Sequence, residues 1–179
     1  HRDLHSFPTR RSSDLAGRSV VCVDRKGDGE YGIYVANYGG PTRFYEIENE
    51  LIKDKAKNLN LDNITGGRAV VSGHILTERA DIFAANERGA NFLFKNNNGN
   101  FDDVAFDYRV DDAIQNGRGT ALSDIYYRGR LDILSGNWLG YHRAWVLKNN
   151  EFKDIGNKDF DEPSRIRTII SADFDNDGF

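Results

Sequence analysis

The chain of 179 residues is mildly acidic, with 24 lysine and arginine side chains against 28 aspartate and glutamate side chains and a formal charge of −4. Nucleic acid is excluded as a partner because phosphate binding needs a basic stripe, and the densest basic cluster, Lys53 to Lys57, is interrupted by Asp54. Membrane insertion is excluded because no apolar run approaches the length that crosses a bilayer.

Residues 1–15 have no hydrophobic period and no apolar run between their charges, so they are not a secretory signal. Translated back into codons, they resemble the adapter that is ligated to DNA fragments for short-read sequencing. We therefore predict a non-native tail and exclude it from the fold. The exclusion removes three Arg and two Asp, which leaves 21 basic and 26 acidic side chains and a formal charge of −5.

The single cysteine, Cys22, lies in the alternating run SVVCVD near the start of the remaining chain. This pattern predicts an inward-facing core position rather than a nucleophile or a disulfide partner. The cysteine therefore does not indicate a redox compartment.

A repeat of about fifty residues organises the chain from residue 16 onward. The segments GRSVVCVD, GRAVVSGH, GRGTALSD and IRTIISAD align, and each copy continues into a segment that ends in Asn, such as YGIYVAN and LDILSGN. Every copy offers short runs rich in Val, Ile, Phe and Tyr between Gly and Asn, which predicts four strands. One four-stranded sheet cannot bury both of its faces, so repeats of this length indicate the blades of a β-propeller.

The predicted fold class is all-β, a β-propeller fragment of three four-stranded antiparallel blades and the start of a fourth. The outer edge of the first blade is ambiguous, because EIENELIKDKAKNLN fits a short helix as well as a strand. A propeller without its other blades leaves sheet faces uncovered, so we expect the fragment alone to be poorly stable or to self-associate. The predicted boundaries are residues 16–65, 66–115 and 116–164 for the three blades, and 165–179 for the first strand and calcium loop of the truncated fourth.

The fourth copy of the loop between the first two strands has the sequence DFDNDGF, with Asp173, Asp175 and Asp177 at alternate positions. Alternate carboxylates converge when the chain curls tightly, and Ca²⁺ takes several oxygen ligands, so this loop predicts a calcium site. The same spacing opens an EF-hand, but the preceding IRTIISA is strand-like rather than helical. A solvated acidic turn is the remaining alternative.

The same loop is degenerate in the other copies. The third retains Asp124 and Asp132 but has Arg128 at the fifth position, and the first retains Asp24 and Asp28 but has Lys26 at the third. Lysine and arginine only donate hydrogen bonds and cannot bind a metal ion. One hypothesis is that Arg128 replaces the ion by pairing with Asp124 and Asp132, and Lys26 by pairing with Asp24 and Asp28. The alternative is that both cations point into solvent.

Other candidates have structural interpretations that we favour. The recurring Gly-Arg pairs are expected to pair with carboxylates of a neighbouring blade rather than to form an anion site. His74 and His142 have no carboxylate at matching spacing and are expected to be satisfied loop histidines. Trp138 and Trp145 are expected to pack in the core, with surface recognition by Trp138 as the alternative.

The segments GRGTALSD, LDILSGNW and RTIISADFDNDGF resemble calcium-loop repeats of the FG-GAP or VCBS type, and those of the cartilage acidic protein 1 family in particular. The resemblance implies a secreted, glycosylated, integrin-α-like propeller associated with extracellular matrix and cell surfaces, with Ca²⁺ as its cofactor. The triplet at Asn63 is a glycosylation acceptor pattern that agrees with secretion.

No catalytic constellation is found in the sequence outside the loops. We therefore predict that the protein is not an enzyme. Three classes of function stay open: a module for binding an extracellular protein or matrix partner, a purely structural matrix repeat protein, and a glycan-processing propeller enzyme.

Overall fold

The fold is all-β, as the sequence predicts, and the computed structural model describes residues 16–173. The tail 1–15 and the loop residues Asp175 and Asp177 lie outside the described range. Two short helices accompany the strands, a 3-10 helix (Ala56–Leu59) and α1 (Lys158–Asp161), and neither they nor any other described segment forms a helix of membrane-spanning length. The strands are β1 (Ala16–Val23), β2 (Gly32–Pro41), β3 (Arg43–Glu48), β4 (Leu51–Asp54), β5 (Ile64–Gly73), β6 (Asp81–Asn86), β7 (Phe92–Asn97), β8 (Asn100–Asp103), β9 (Gly117–Ser123), β10 (Asp132–Asn137), β11 (Arg143–Lys148) and β12 (Glu151–Asp154).

Consecutive strands form three antiparallel meanders: meander 1 is β1–β4, meander 2 is β5–β8 and meander 3 is β9–β12. The end of β2 also pairs with the start of β5, which joins meanders 1 and 2 into one eight-stranded sheet. An isolated bridge between Glu87 and Asn116 makes the corresponding junction between meanders 2 and 3. Each meander therefore begins where the second strand of the preceding meander ends.

Tight turns join the third strand of each meander to the fourth. Both central residues have positive φ in each turn, 53° at Asn98 and 91° at Gly99 for example, which matches the right-handed twist of a hairpin. Meander 1 uses Asn49 and Glu50 for this turn, with φ of 50° and 64°. The ambiguous segment after this turn therefore forms both predicted structures, the edge strand β4 and then the 3-10 helix.

The hydrophobic core lies between the meanders in two clusters. One joins meanders 1 and 2, where the rings of Phe44 and Phe101 have centroids 6.2 Å apart. The other joins meanders 2 and 3, where Phe83 meets Trp145 edge to face at 5.9 Å. Strand β6 contributes to both clusters because it is buried along its whole length. The core position predicted for Trp145 is confirmed.

The glycines before Arg68 and Arg118 allow two backbones to approach closely. A Cβ on Gly117 would lie 2.8 Å from the Cβ of Ala85 and 3.1 Å from the carbonyl oxygen of Asn86. A Cβ on Gly67 would lie 2.8 Å from the carbonyl oxygen of Asn37, the corresponding residue of meander 1. The Gly-Arg pattern therefore marks the places where one meander crosses the previous one.

Replacing Gly117 with alanine is expected to destabilise the protein by about 1–3 kcal/mol, the usual cost of overpacking a site that cannot relax. Gly89→Ala is the matched control, because no atom lies within 4 Å of a Cβ there. Denaturant unfolding of the two variants measures the difference, and equal midpoints would contradict a close meander junction at Gly117.

The core position predicted for Cys22 is wrong, because this residue is exposed. Its neighbours Val21 and Val23 contact the cluster between meanders 1 and 2, so strand alternation turns Cys22 to the other face of meander 1. None of the described residues covers that face, where Ile33 is 43% and Ile52 is 75% exposed.

The segment after meander 3 runs beside it without forming a strand ladder over residues 166–173. Ile166 and Ile169 lie against Gly136, and the hydroxyl of Ser171 donates to the carbonyl oxygen of Leu122 at 3.2 Å. In each of the three meanders, the first strand pairs by hydrogen bonds with the second strand of the same meander. No counterpart of that second strand is among the described residues.

Candidate metal-binding loops and the arginine ladder

The loops between the first and second strands all emerge at the same end of the meanders. The fourth loop begins at Asp173, which is exposed, while Asp175 and Asp177 lie beyond the described residues. Between residues 16 and 173, no group of three His, Cys, Asp or Glu side chains is arranged to hold a metal ion. The geometry of the three degenerate loops shows what has replaced a complete ligand set.

Asp24 closes the first loop through backbone hydrogen bonds. Its carboxylate accepts the N–H of Gly27 at 2.7 Å, of Asp28 at 3.2 Å and of Gly29 at 2.9 Å. These donors, Gly29 foremost, hold the pKa of Asp24 below its ordinary value, although desolvation opposes them. Asp28 accepts only the N–H of Glu30, so both carboxylates are used by the backbone of the loop.

Arg25, rather than Lys26, supplies the internal cation of the first loop. Lys26 forms no ion pair with Asp24, Asp28 or any other described residue. Arg25 instead donates to both carboxylate oxygens of Glu46, at 2.5 and 3.0 Å, and to the carbonyl oxygen of Gly99 in meander 2. The predicted pairing of Lys26 is therefore not formed, because the side chain that turns inward belongs to the preceding residue.

The third loop contains the predicted pair between Arg128 and Asp132. Nη2 of Arg128 lies 2.6 Å from Oδ1 of Asp132, which is fully buried, and Nη1 donates to the carbonyl oxygen of Leu147 at 2.7 Å. Asp124 accepts the backbone N–H of Arg128 at 2.8 Å and that of Gly129 at 2.5 Å. The N–H of Arg128 is the main reason that the pKa of Asp124 is lowered.

The second loop depends on Asp81, the only aspartate that its sequence retains. The fully buried carboxylate accepts the N–H of Leu76 at 2.7 Å, the N–H and hydroxyl of Thr77 at 2.9 and 3.0 Å, and the N–H of Asn96 at 2.8 Å. Asp81 and Asp132 occupy equivalent positions, each paired with the last residue of the preceding strand, where meander 1 has Gly32. A buried carboxylate at this position organises the loop through protein donors.

None of these three loops offers a ligand set for Ca²⁺. A guanidinium occupies the third loop, the buried carboxylate of Asp81 in the second uses its hydrogen-bonding capacity on protein donors, and Gly32 leaves the first without a ninth-position ligand. Whether the fourth loop differs depends on Asp173, Asp175 and Asp177 together.

The recurring arginines form a ladder with the residues that follow the Asn at the end of each second strand. Arg68 stacks on Tyr38 with its guanidinium carbon 4.2 Å from the ring centroid, and Arg118 and Arg167 lie 5.2 and 4.9 Å from the centroid of Trp138. Glu87 accepts from both Arg68 and Arg118. The expected pairing with a neighbouring meander holds for Arg118, whereas Arg68 pairs within its own meander. Trp138 is half-buried between two arginines.

Tyr38 and Glu87 are members of this ladder that were not predicted from the sequence. The signal that identifies them is their position immediately after Asn37 and Asn86, in register with Trp138 after Asn137. Tyr38, Glu87 and Trp138 differ in chemical type, so the sequence does not show directly that they occupy equivalent positions. A pair of cations on one carboxylate together with aromatic stacking ties successive meanders together.

His142 lies beside a serine but is not arranged as a general base. Its Nε2 is 2.9 Å from the hydroxyl oxygen of Ser164, while Nδ1 is 3.1 Å from the backbone nitrogen of Asn137. A backbone N–H can only donate, so Nδ1 is the acceptor and the neutral ring carries its proton on Nε2. The ring therefore donates to Ser164 and cannot remove its proton. His74, the other histidine in the described range, is exposed.

Asn63, the predicted glycosylation acceptor, is partly exposed just before β5. Its backbone exchanges hydrogen bonds with Thr42, at 3.0 and 3.1 Å, and its Nδ2 donates to Asn60 at 3.4 Å. Its modification stays a prediction.

Comparison with known proteins identifies the relatives of the chain. It is 45% identical to "Cartilage acidic protein 1" of Homo sapiens over 185 residues, a match that covers 93% of the chain and 28% of the relative. Its homologues are cartilage acidic proteins. The proteins of the same name from Xenopus tropicalis and Mus musculus are each 44% identical and cover 91% and 93% of the chain.

The likeness to cartilage acidic protein 1 confirms the relationship that the sequence segments predict. The chain spans 28 to 29% of the length of these relatives. No family model matches the chain, so the FG-GAP or VCBS repeat type stays a prediction.

Proposed function

We propose that the chain contributes three blades and the beginning of a fourth to an extracellular, calcium-binding β-propeller that serves as a binding module for matrix or cell-surface proteins. The observation that carries the proposal is the uncovered face of meander 1. Its residues correspond in register to faces of meanders 2 and 3 that are buried against the preceding meander.

The correspondence holds at paired positions. Ile82 pairs with Phe94 and Ile133 with Trp145, and all four side chains are at most 4% exposed. The same register in meander 1 pairs Ile33, which is 43% exposed, with Tyr45. An apolar face repeated three times and covered twice is explained by a further meander of the same kind against meander 1.

The outermost pair follows the same rule. Phe101 opposite Asn96 and Phe152 opposite Leu147 are both buried, whereas the corresponding Ile52 opposite Ile47 is 75% exposed. Isolated exposed apolar residues are normal on a surface, but a strip of them across all four strands indicates an interface.

The segment beside meander 3 supports continuation in the other direction. Arg167 stacks on Trp138 as Arg68 stacks on Tyr38, and a Cβ on Gly119 would lie within 2.6 Å of the backbone of Thr168. The segment thus takes the place that the first strand of a following blade would occupy.

The calcium role is proposed from the alternating carboxylates of the fourth loop. Three like charges within one short loop repel each other by on the order of 1 kcal/mol for each pair, even at the dielectric of water. A divalent cation would remove that repulsion and fix the loop between two strands, as oxygen-rich loops do for Ca²⁺. In this proposal calcium acts structurally and takes part in no reaction.

The extracellular location and the matrix partner are proposed from the name of the relatives, which refers to cartilage. A purely structural matrix protein is the second candidate, because the ion pairs of the ladder and the third loop stabilise single meanders, at Arg68 and Arg128, or join two of them, at Arg118.

Calorimetric titration of the complete protein tests the calcium proposal. Asp175→Asn is expected to remove one Ca²⁺ site, while Asp28→Asn in the first loop is expected to leave the number of sites unchanged. At a free Ca²⁺ concentration a hundred times Kd, the ion would stabilise the fold by about 2.7 kcal/mol, so a chelator should lower the melting temperature. An unchanged stoichiometry in Asp175→Asn would contradict the site.

Partner capture distinguishes the two candidate functions. A binding module should lose its cell-surface or matrix partner when calcium is chelated, whereas a structural protein should lose thermal stability without any specific partner to release.

A further inference from the structure

Each meander holds the linker that follows it through one buried side chain, and the three side chains differ in chemistry. The residue lies five positions after the Asn that ends the second strand: Thr42, Asn91 and His142, which are 1%, 2% and 6% exposed. The hydroxyl of Thr42 donates to the carbonyl oxygen of Leu61, and Nδ2 of Asn91 donates to that of Val110 at 3.3 Å. In meander 3, Nε2 of His142 bonds the hydroxyl of Ser164.

Asn91 and His142 also make the same second contact. Oδ1 of Asn91 accepts the N–H of Asn86 at 3.0 Å, as Nδ1 of His142 accepts that of Asn137 at 3.1 Å. An amide is a permanent acceptor and donor, but an imidazole offers this combination only while it is neutral. The contact made by Asn91 is therefore independent of pH, whereas the contact made by His142 is not.

We propose that His142 is a proton-operated latch, which holds the linker of residues 155–166 on meander 3 when neutral and releases it when protonated. The imidazolium carries a proton on Nδ1, so two N–H groups would face each other where one hydrogen bond stood. The ring must then leave Asn137, and in turning it loses Ser164.

The surroundings of the ring provide a place for it to turn. An open cavity of about 460 Å³ is lined by His142, Phe160 and Ser164 and also by the acidic side chains of Asp159 and Glu162. Phe160 meets the imidazole edge to face, with centroids 6.3 Å apart. Because this cavity is open, an imidazolium displaced into it leaves the unfavourable contact with the backbone donor of Asn137 and reaches solvent.

The charged groups around His142 include both cations and anions. Helix α1 and the residues after it contribute Lys158, Asp159, Asp161, Glu162 and Arg165, while Arg143 follows the histidine on β11, Asp154 lies on β12, and Asp112 bonds both Asn137 and Arg143. Burial lowers the pKa of His142, and the nearby Asp161 opposes this shift. Asp161 has a raised pKa, because it is itself desolvated and lies near Asp154.

The sign of the pH dependence follows from the lowered pKa. The docked linker binds the neutral ring, so its stability is fully present above the ordinary histidine pKa of about 6.5. It is lost as the pH falls through the lower pKa of the folded protein. Two backbone contacts also hold the docked linker: the N–H of Leu139 donates to the carbonyl oxygen of Ser164 at 2.8 Å, and Trp138 bridges Ser164 and Arg165.

Hydrogen exchange of the 179-residue chain tests the latch, with protection factors compared at pH 7.5 and pH 5. Peptides covering 137–142 and 155–166 are expected to lose protection on acidification, by on the order of tenfold for each unit by which the pKa is lowered. His142→Asn, which copies Asn91, should keep this protection at pH 5. His74→Asn, the exposed control, should lose it as the wild type does. Equal loss of protection in His142→Asn, which retains every nearby carboxylate, would overturn the proposal.

NMR titration of the wild-type imidazole gives a second measurement that does not depend on the folding of any variant. The expected result is a neutral ring protonated on Nε2 with a pKa below 6.5. A ring protonated on Nδ1 at neutral pH, a pKa at or above 6.5, or unchanged protection of the linker at pH 5 would each overturn the latch.

Discussion

Replacing Ile33 with aspartate is expected to destabilise the complete protein by about 4 kcal/mol or more, while the 179-residue chain loses less than about 1 kcal/mol. Ile33 is 43% exposed in the described structure, whereas its counterparts Ile82 and Ile133 are fully buried. If a further meander covers this face in the complete protein, the substitution places an unpaired charge in an apolar interface. Denaturant unfolding of both forms measures the difference.

Two controls bracket the Ile33 result. Ile82→Asp should be severely destabilising in both forms, because its position is covered in each. Ile114→Asp should be tolerated in the isolated chain, because Ile114 is 90% exposed on the linker between meanders 2 and 3. If Ile33→Asp is as mild in the complete protein as in the chain, no meander covers that face and the propeller proposal fails.

Replacing Asp81 with alanine is expected to cost about 3–5 kcal/mol, because three backbone N–H groups and one hydroxyl would lose their shared acceptor. A buried donor left without a partner costs about 1–3 kcal/mol, and partial hydration of the loop keeps the total below the sum. The N–H of Asn96 is the most sensitive of these donors, since Asn96 is buried on β7 opposite Phe101 of the cluster between meanders 1 and 2. Thermal unfolding and denaturant unfolding should agree on the loss.

Asp24→Ala is the matched control for Asp81→Ala. Asp24 also accepts three backbone N–H groups, but its loop is exposed and water replaces the lost acceptor. Its substitution is expected to cost a small fraction of the loss at Asp81. Equal losses at the two positions would contradict the view that the buried carboxylate of Asp81, rather than the loop as a whole, organises the second loop.

The parts of the fold that the sequence predicts are those determined by local chemistry that recurs. The fifty-residue spacing of Gly-Arg predicts the meander junctions because only glycine permits the close approach at Gly67 and Gly117. The recurring Asn, which lies within β2 at Asn37 and ends β6 and β10 at Asn86 and Asn137, donates its Nδ2 in each copy to a carbonyl oxygen four residues later. The asparagine interactions lie within one repeat, so a single copy of the pattern shows them, whereas the glycine contacts join neighbouring meanders and are indicated by the repeat spacing.

The predictions that failed or were missed depend on contacts between residues that are distant in the sequence. Alternation in SVVCVD places Cys22 on one face of β1 but does not tell which face a neighbour covers. Likewise, Arg25 and Lys26 are adjacent cations, and only the position of Glu46 on β3 decides which of them is paired. The role of His142 depends on Ser164, 22 residues later, which no local pattern connects to it.

The measurement that most directly tests the central claim is hydroxyl-radical footprinting of Ile33 and Ile52 in the complete protein. Ile82, fully buried, and Ile114, 90% exposed, serve as internal references. The propeller account predicts that Ile33 and Ile52 are oxidised as slowly as Ile82 in the complete protein, and much faster in the 179-residue chain. Oxidation of both residues in the complete protein at a rate near that of Ile114 would contradict the account.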